Sequence, residues 1–317
     1  MADLRKRARF ADRVAEVYGV RAAEVPALLA GTRSTAVRVN RLAAIPAAEI
    51  LAELRAAMPA LTPVPWCPDA YFCAGDTGCA SAVPLAERGL VYIQNASSLI
   101  PVVLLDPQPG ELILDTAAAP GGKAFHIAAR TDGKARLWLN DAIAPRAAKL
   151  RDLAELYRVP YDNLTSIPAQ YLDKELPAGT FDRILLDVQC SGEGRIDLRR
   201  SDSLRFWSEE RIDRYKYQQT RMLEAAYRLL RPGGTMVYST CTIAPEENEF
   251  PVSQILRRHS DLEVQPASFA EPNFRAGLST WRDYRFGPAL RDALRVLPTE
   301  QFEAFFAAKL LKAAQQP

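Results

Sequence analysis

The chain has little to hold it in a membrane, little to bind a metal and little charge of one sign. None of its apolar runs approaches the roughly 20 residues that a membrane span needs, and no membrane partner is expected. The N-terminus, MADLRKRARFADR, is basic but lacks the apolar core of a secretory signal. There are only two histidines, His126 and His259, and none of the five cysteines forms a C-x-x-C pair, which argues against zinc. The odd, scattered cysteines make a disulfide framework unexpected and a reducing, cytoplasmic setting expected. With 40 Lys and Arg against 38 Asp and Glu, the net charge is only +2. Any footprint for a polyanion must therefore be local. The dinucleotide fingerprint G-x-G-x-x-G is absent. So is the phosphate loop G-x-x-x-x-G-K-[ST], because Gly122-Lys123 is followed by Ala124.

What is present is ordinary globular composition, 48% hydrophobic and 25% charged over 317 residues, enough for two domains. A helix is predicted from residue 1 to about 30, where Leu4, Phe10, Val14 and Val17 fall near helical spacing and Tyr18-Gly19 stops it. Residues 35–40 predict a strand with Arg38 and Asn40 at its end, and residues 46–58 a helix with Ile50, Leu51 and Leu54 on one face. Residues 59–89, rich in Pro, Gly and Cys, are expected to be irregular. A small N-terminal α/β domain is placed at residues 1–88.

From Gly89 onward helices and strands alternate. Helices are predicted over 97–105, 123–130, 145–157, 209–230 and 253–259, and strands over 112–114, 135–140, 164–167, 184–186 and 235–238. Ser208 is the expected N-cap of the long fourth helix and Pro232-Gly233 its stop. Residues 260–296 are less regular, and 301–311 read as a last buried strand. Such alternation implies a Rossmann-like, doubly wound α/β domain at 89–317, a mostly parallel sheet with helices on both faces. A monomer is expected.

Three strand ends carry the chemistry. Strand ELILD runs into the glycine turn AAAPGGK; FDRILLDVQCSGEG carries Cys190; YSTCTIAPEEN carries Cys241. In this topology the first, fourth and fifth strands of the domain are neighbours, and ligands collect at their carboxyl ends. Lys123, Asp187, Cys190 and Cys241 are thus expected together. A reactive thiol needs a thiolate, favoured by a nearby positive charge, and Lys123 is the available cation. Small residues in the turn let the backbone approach an anion, either a phosphate or a carboxylate. Asp141 ends the next strand, where an acid takes ribose hydroxyls in doubly wound folds. Turn and acid together suggest an adenosine-bearing ligand without a pyrophosphate; the alternative is a tight turn with a helix-capping Asp.

These segments resemble the signatures of the RNA (cytosine-5) methyltransferases of the Nop2/Sun family, which includes bacterial 16S rRNA enzymes. The family's D-x-C-A-A-P-G-G-K corresponds to DTAAAPGGK, its D-A-P-C-S-G to DVQCSG, and its Y-S-T-C-S/T…P-E-E-N-E to YSTCTIAPEENE. Weaker matches lie at Arg38-Val-Asn40, at Gln94 with Ser97-Ser98, and in RVLPTEQFEAFFAAKL near the end. The resemblance implies S-adenosyl-L-methionine as cofactor and cytosine C5 of RNA as acceptor, with rRNA favoured over tRNA. It assigns the attack to Cys241, product release to Cys190 and stabilisation of the base to Asp187. Ala117, Ala118, Ala119, Pro120, Gly121, Gly122 and Lys123 would line the cofactor, with Asp141 on its ribose and Arg146, Gln170 and Asp187 completing the set. Gln189 stands where the family has proline, Gln170 where it usually has an acid, and Ala117 where a cysteine is common. The rival readings are DNA cytosine-5 chemistry with Cys190 as nucleophile, and a non-catalytic RNA-binding or ribosome-assembly factor.

A basic, aromatic stretch over 195–221 holds Arg199, Arg200, Arg205, Arg211, Arg214 and Lys216 among Phe206, Trp207, Tyr215 and Tyr217. These residues suit phosphate and unpaired bases. With Asp197, Asp202, Glu209, Glu210 and Asp213 interleaved, a solvated helix face explains most of the stretch. Trp281, Arg282, Tyr284 and Arg285 form a second candidate. The N-terminal domain resembles the family's RNA-docking part.

Overall fold

The computed structural model describes residues 2–30, 35–73, 78–200 and 202–314. Helix α1 (Ala2–Tyr18) ends where Gly19 takes a left-handed φ of 66°. There follow α2 (Val25–Leu28), β1 (Ala36–Val39), α3 (Ala47–Ala57), β2 (Thr62–Val64), β3 (Cys67–Phe72), α4 (Val83–Glu87) and β4 (Val91–Gln94). The strands form an antiparallel sheet in the order β2-β3-β1-β4. Val37 and Val39 of β1 pack on Ile50 and Leu54 of α3. This small sheet runs past residue 88, to Gln94.

Two expectations fail here. Residues 59–89 are not irregular, since they contain β2, β3 and α4. Pro63 sits on an edge strand, where its missing N–H costs no ladder bond, so proline there does not exclude a strand. Cys73 and Cys79 form a disulfide, with a Cα–Cα separation of 5.4 Å that suits the bond. Pairing depends on that proximity, which scattered spacing does not reveal. Cys67, Cys190 and Cys241 are free.

The second part continues with α5 (Ile100–Leu105), β5 (Leu112–Asp115), α6 (Gly122–Arg130), β6 (Arg136–Asn140), α7 (Ala144–Leu156), β7 (Asn163–Thr165), α8 (Leu172–Glu175) and β8 (Phe181–Asp187). Then come α9 (Glu209–Leu229), β9 (Leu230–Thr240), α10 (Glu249–Arg258), β10 (Leu262–Gln265), β11 (Phe274–Ala276), β12 (Thr280–Trp281), β13 (Tyr284–Arg285), β14 (Leu294–Val296) and β15 (Phe305–Lys312). The main sheet has the order β11-β14-β15-β9-β8-β5-β6-β7, with β10 also on β15. Strands β5 to β9 are parallel, and β15 closes on β9 antiparallel.

Alternate residues of the central strands feed two cores, as the period-2 side-chain pattern requires. Ile184, Leu186, Met236 and Tyr238 face one core with Leu223 of α9, Val252 of α10 and Phe10 of α1. Leu185, Val237, Ile113 and Leu139 face the other, with Val102 of α5, Phe125 of α6 and Leu150 of α7. Ser208 caps α9 by accepting from the Arg211 N–H at 3.2 Å. The helix stops earlier than Pro232-Gly233, because Leu230 is already extended (φ −74°, ψ 127°) and opens β9. Pro232 disfavours helix in the residue before it; with Gly233 it fills the interruption between Leu230 and Thr235 in the ladder with β8.

Candidate active site

Strands β5, β8 and β9 lie side by side, and their carboxyl ends open on a cavity of about 700 Å³. Ala117, Ala118, Ala119, Pro120, Gly122, Lys123, Arg146, Asp187, Cys190 and Cys241 line it. Gly121, Asp141 and Gln170 do not. Asp187 and Ser239 are register partners at the ends of β8 and β9, and the loops beyond them carry the two thiols. The sulfurs of Cys190 and Cys241 stand 3.5 Å apart.

The pair is polarised. The hydrogen bond from Cys190 and the charge of Arg195 pull the Cys241 thiol below the ordinary cysteine value, against the burial that opposes them. Cys190 is pushed well above it, by the same hydrogen bond and by burial. Of the two, Cys241 is therefore the more acidic thiol and Cys190 the less acidic. Lys123, expected as the activating cation, holds its ammonium 2.6 Å from Asp187. Burial works against that ammonium, but the Asp187 carboxylate keeps it above the ordinary lysine value. Asp187 also accepts from the Ser239 hydroxyl at 2.8 Å. Sequence reasoning missed Arg195; its signal was the GEGR run after Cys190.

The acids that follow Cys241 lock its loop from below. Glu247, fully buried, accepts from the Ser191 N–H at 2.9 Å and from the Gln219 amide at 3.1 Å. That Gln219 amide also donates to the Gln189 carbonyl at 3.0 Å, so hydrogen bonds hold the loop where proline is missing. Asn248 accepts from the Thr240 hydroxyl at 2.6 Å and donates to the Thr242 carbonyl at 3.0 Å. Glu246 pairs with Arg13 of α1 at 3.0 Å, and Glu249 with the buried Arg295. Burial pushes the Glu247 carboxyl up to about 8.

At the other end of the cavity, Asp115 Oδ1 accepts from the Ala117 N–H at 3.2 Å, while its buried Oδ2 has no hydrogen-bond partner. Burial raises this carboxyl to about 7. Asp141 Oδ1 accepts from the Ile143 N–H at 3.1 Å; its buried Oδ2 makes no hydrogen bond and lies 3.4 Å from Arg146 Nη1. Arg146 in turn donates to the Ala119 carbonyl at 2.6 Å. Gly121 has a φ of 120°, and a Cβ on Gly122 would stand 2.9 Å from the Tyr92 ring, so both glycines are needed for the turn.

Much of the basic stretch beyond Cys190 is paired: Arg199 with Asp197, Arg200 with Asp202 and Lys216 with Asp213. Phe206 and Tyr217 are nevertheless 69% and 64% exposed, and Phe206, Trp207 and Arg211 line the cavity mouth. Trp281 is buried, with Arg13 and Arg282 against its ring. Among the described residues no helix is long and apolar enough to cross a membrane, and no cluster of His, Cys, Asp or Glu is placed to hold a metal.

Sheet order, glycine turn and thiol pair define the class: a Rossmann-like methyltransferase with two cysteines at the strand ends. The chain belongs to the 16S rRNA methyltransferase RsmB/F family, whose model matches residues 102–311. It is 36% identical over 265 residues to the ribosomal RNA small subunit methyltransferase F of Klebsiella pneumoniae (strain 342), covering 80% of this chain and 52% of that protein. The Escherichia coli O7:K1 protein of the same name is 34% identical over 267 residues, covering 81% and 53%. The chain thus spans about half the length of the curated relatives it matches. Among solved structures, a methyltransferase homolog protein from Pyrococcus horikoshii superposes with a TM-score of 0.79 at 29% identity, covering 98% of this chain and 99% of that one. NSun6 from Pyrococcus horikoshii, solved with SFG, shares the fold at a TM-score of 0.76 and 20% identity, covering 96% and 98%.

S-adenosyl-L-methionine is the cofactor of this class. The residues present fit it. The glycine turn leaves backbone room, and the buried Oδ2 atoms of Asp115 and Asp141, which accept no hydrogen bond within the chain, suit donors such as an ammonium or ribose hydroxyls. Gln170 Oε1 is a third such oxygen, on the short turn after β7.

Proposed function

We propose that the protein methylates C5 of a cytosine in RNA, rRNA in preference to tRNA, through a covalent bond from Cys241 to C6. The observation that carries this reading is the polarised thiol pair, 3.5 Å apart, in one cavity with the glycine turn and the Lys123–Asp187 ion pair. Cytosine C5 is too weak a nucleophile to take a methyl group unaided. Addition of the Cys241 thiolate at C6 gives C5 enamine character. Asp187, held by Lys123 and Ser239, hydrogen-bonds the base near N3 and stabilises the adduct. Bound in the turn, S-adenosyl-L-methionine supplies an electrophilic methyl group. Once C5 carries the methyl, solvent water takes the C5 proton, the C5–H electron pair restores the C5=C6 double bond, and the Cys241–C6 bond breaks, its electron pair returning to sulfur. The Cys190 thiol then stabilises the departing thiolate by hydrogen bond. Residues 117–123 with Arg146 and Asp141 hold the cofactor. The target base leaves any stack to enter the cavity, past the exposed Phe206. The N-terminal part, to about residue 88, docks the RNA.

The test is transfer of labelled methyl from S-adenosyl-L-methionine to purified small-subunit rRNA, tRNA or DNA, followed by digestion to nucleosides. Label in 5-methylcytidine, strongest from rRNA, is expected. Label in another nucleoside, or in DNA alone, contradicts the reading. A chain that binds RNA but no cofactor at millimolar ligand by calorimetry is instead a non-catalytic factor.

A further inference from the structure

We infer that Arg195 is the cation that activates Cys241, and that Glu303 sets how much of its charge the thiol feels. The inference rests on Cys241 being the nucleophile. The GEGR turn is built to place Arg195. Gly192 takes a φ of 74°. Glu193, buried beneath the turn, accepts from the Trp207 indole at 2.7 Å and from the Thr242 hydroxyl at 3.3 Å. The Gly194 N–H donates to the Cys241 carbonyl at 3.0 Å. A Cβ on Gly194 would meet the Ala304 carbonyl oxygen at 2.3 Å and the Cys241 oxygen at 2.9 Å, so only glycine permits this approach. Residue 195 thus leaves a backbone bonded directly to the nucleophile's own residue, and its side chain lines the same cavity as Cys241.

Glu303 is fixed as firmly. Its N–H donates to Asn95 Oδ1 at 3.1 Å, and its carbonyl accepts from the Ser97 hydroxyl at 2.8 Å. Its carboxylate, with 12% of the side chain exposed, lies 3.6 Å from Arg195 Nε. The other groups around Cys241 include Cys190, hydrogen-bonded to it at 3.5 Å, Asp187, whose charge opposes a thiolate, and Lys123, which is ion-paired to Asp187 and whose charge also reaches Cys241. Glu247 lies beneath Ser191 and acts on Cys190 rather than on Cys241. Arg195 favours the thiolate, and Glu303 joins Asp187 against it.

The test is the pH profile of iodoacetamide alkylation of the full chain, with neither RNA nor cofactor, the modified residue located by peptide mass spectrometry. R195Q should move the Cys241 profile to higher pH and slow alkylation near neutral pH by about threefold or more, since thiolate fraction controls the rate. R195K should recover most of that loss. E303Q should move the profile the other way. A Cys241 profile in R195Q equal to that of the parent chain would overturn the inference, and a raised KM for RNA beside it would assign Arg195 to a phosphate instead. Because alkylation needs no methyl transfer, failure of the proposed reaction and failure of this inference are separately visible.

Discussion

Glu247 does more than close a turn. It joins the loop of Cys190, through Ser191, to α9, through Gln219. Its buried carboxyl keeps its proton up to about 8, whereas an unfolded glutamate releases it near about 4.3. Between those values the folded state binds more protons than the unfolded one, so stability falls as pH rises through the window. In E247Q the thermal midpoint should decline less between about pH 5 and pH 8 than in the parent chain; an equal slope contradicts the assignment. Asp115, raised to about 7, leaves a residual slope of the same sign. At this scale the thiols, Asp187, Lys123 and the glycine turn were legible as motifs. The duties of Glu246, Glu247 and Glu249 were not, because Arg13, Gln219 and Arg295 are distant in sequence and meet them only in the fold.

Helix α1 packs on the methyltransferase sheet: Phe10, Val14 and Val17 share the core of Ile184, Leu186, Met236 and Tyr238. Phe10 meets the edge of Trp207 at 5.3 Å, and Arg13 reaches Glu246 beside the Cys241 loop. Both side chains of that ion pair are at least nine-tenths buried. Removing one partner strands the other, at a cost of about 3–5 kcal/mol. R13A should lose stability of that order in urea titration, whereas the double variant R13M with E246M should lose far less. A single variant within about 0.5 kcal/mol of the parent contradicts the coupling. S208A, which removes the α9 cap, should cost about 1 kcal/mol by the same titration. The parallel strands were readable because strands buried on both faces are continuous apolar runs, as in LILD and ILLD. The hairpin β2–β3 was not, since short edge strands with proline look like loop. The Cys73–Cys79 disulfide was missed because pairing is a property of distance.

Across the whole molecule, the thiol pair and the glycine turn line one cavity. Asp141 lies behind the lining, in contact with Arg146, which does line it. A ligand that binds only the folded chain stabilises it by about 2.7 kcal/mol at a hundred times its Kd. S-adenosyl-L-methionine should therefore raise the unfolding temperature by several degrees, and D141A should remove most of that rise while leaving the ligand-free midpoint within a few degrees. A full shift in D141A would place the ribose elsewhere. The arrangement at the thiol end is tested most directly by trapping. RNA carrying 5-fluorocytosine at the target position cannot lose a C5 proton, so an attacking cysteine stays bound. The account predicts a denaturant-resistant protein–RNA complex in the parent chain and in C190S, and none in C241S. A complex that survives in C241S and disappears in C190S would contradict it.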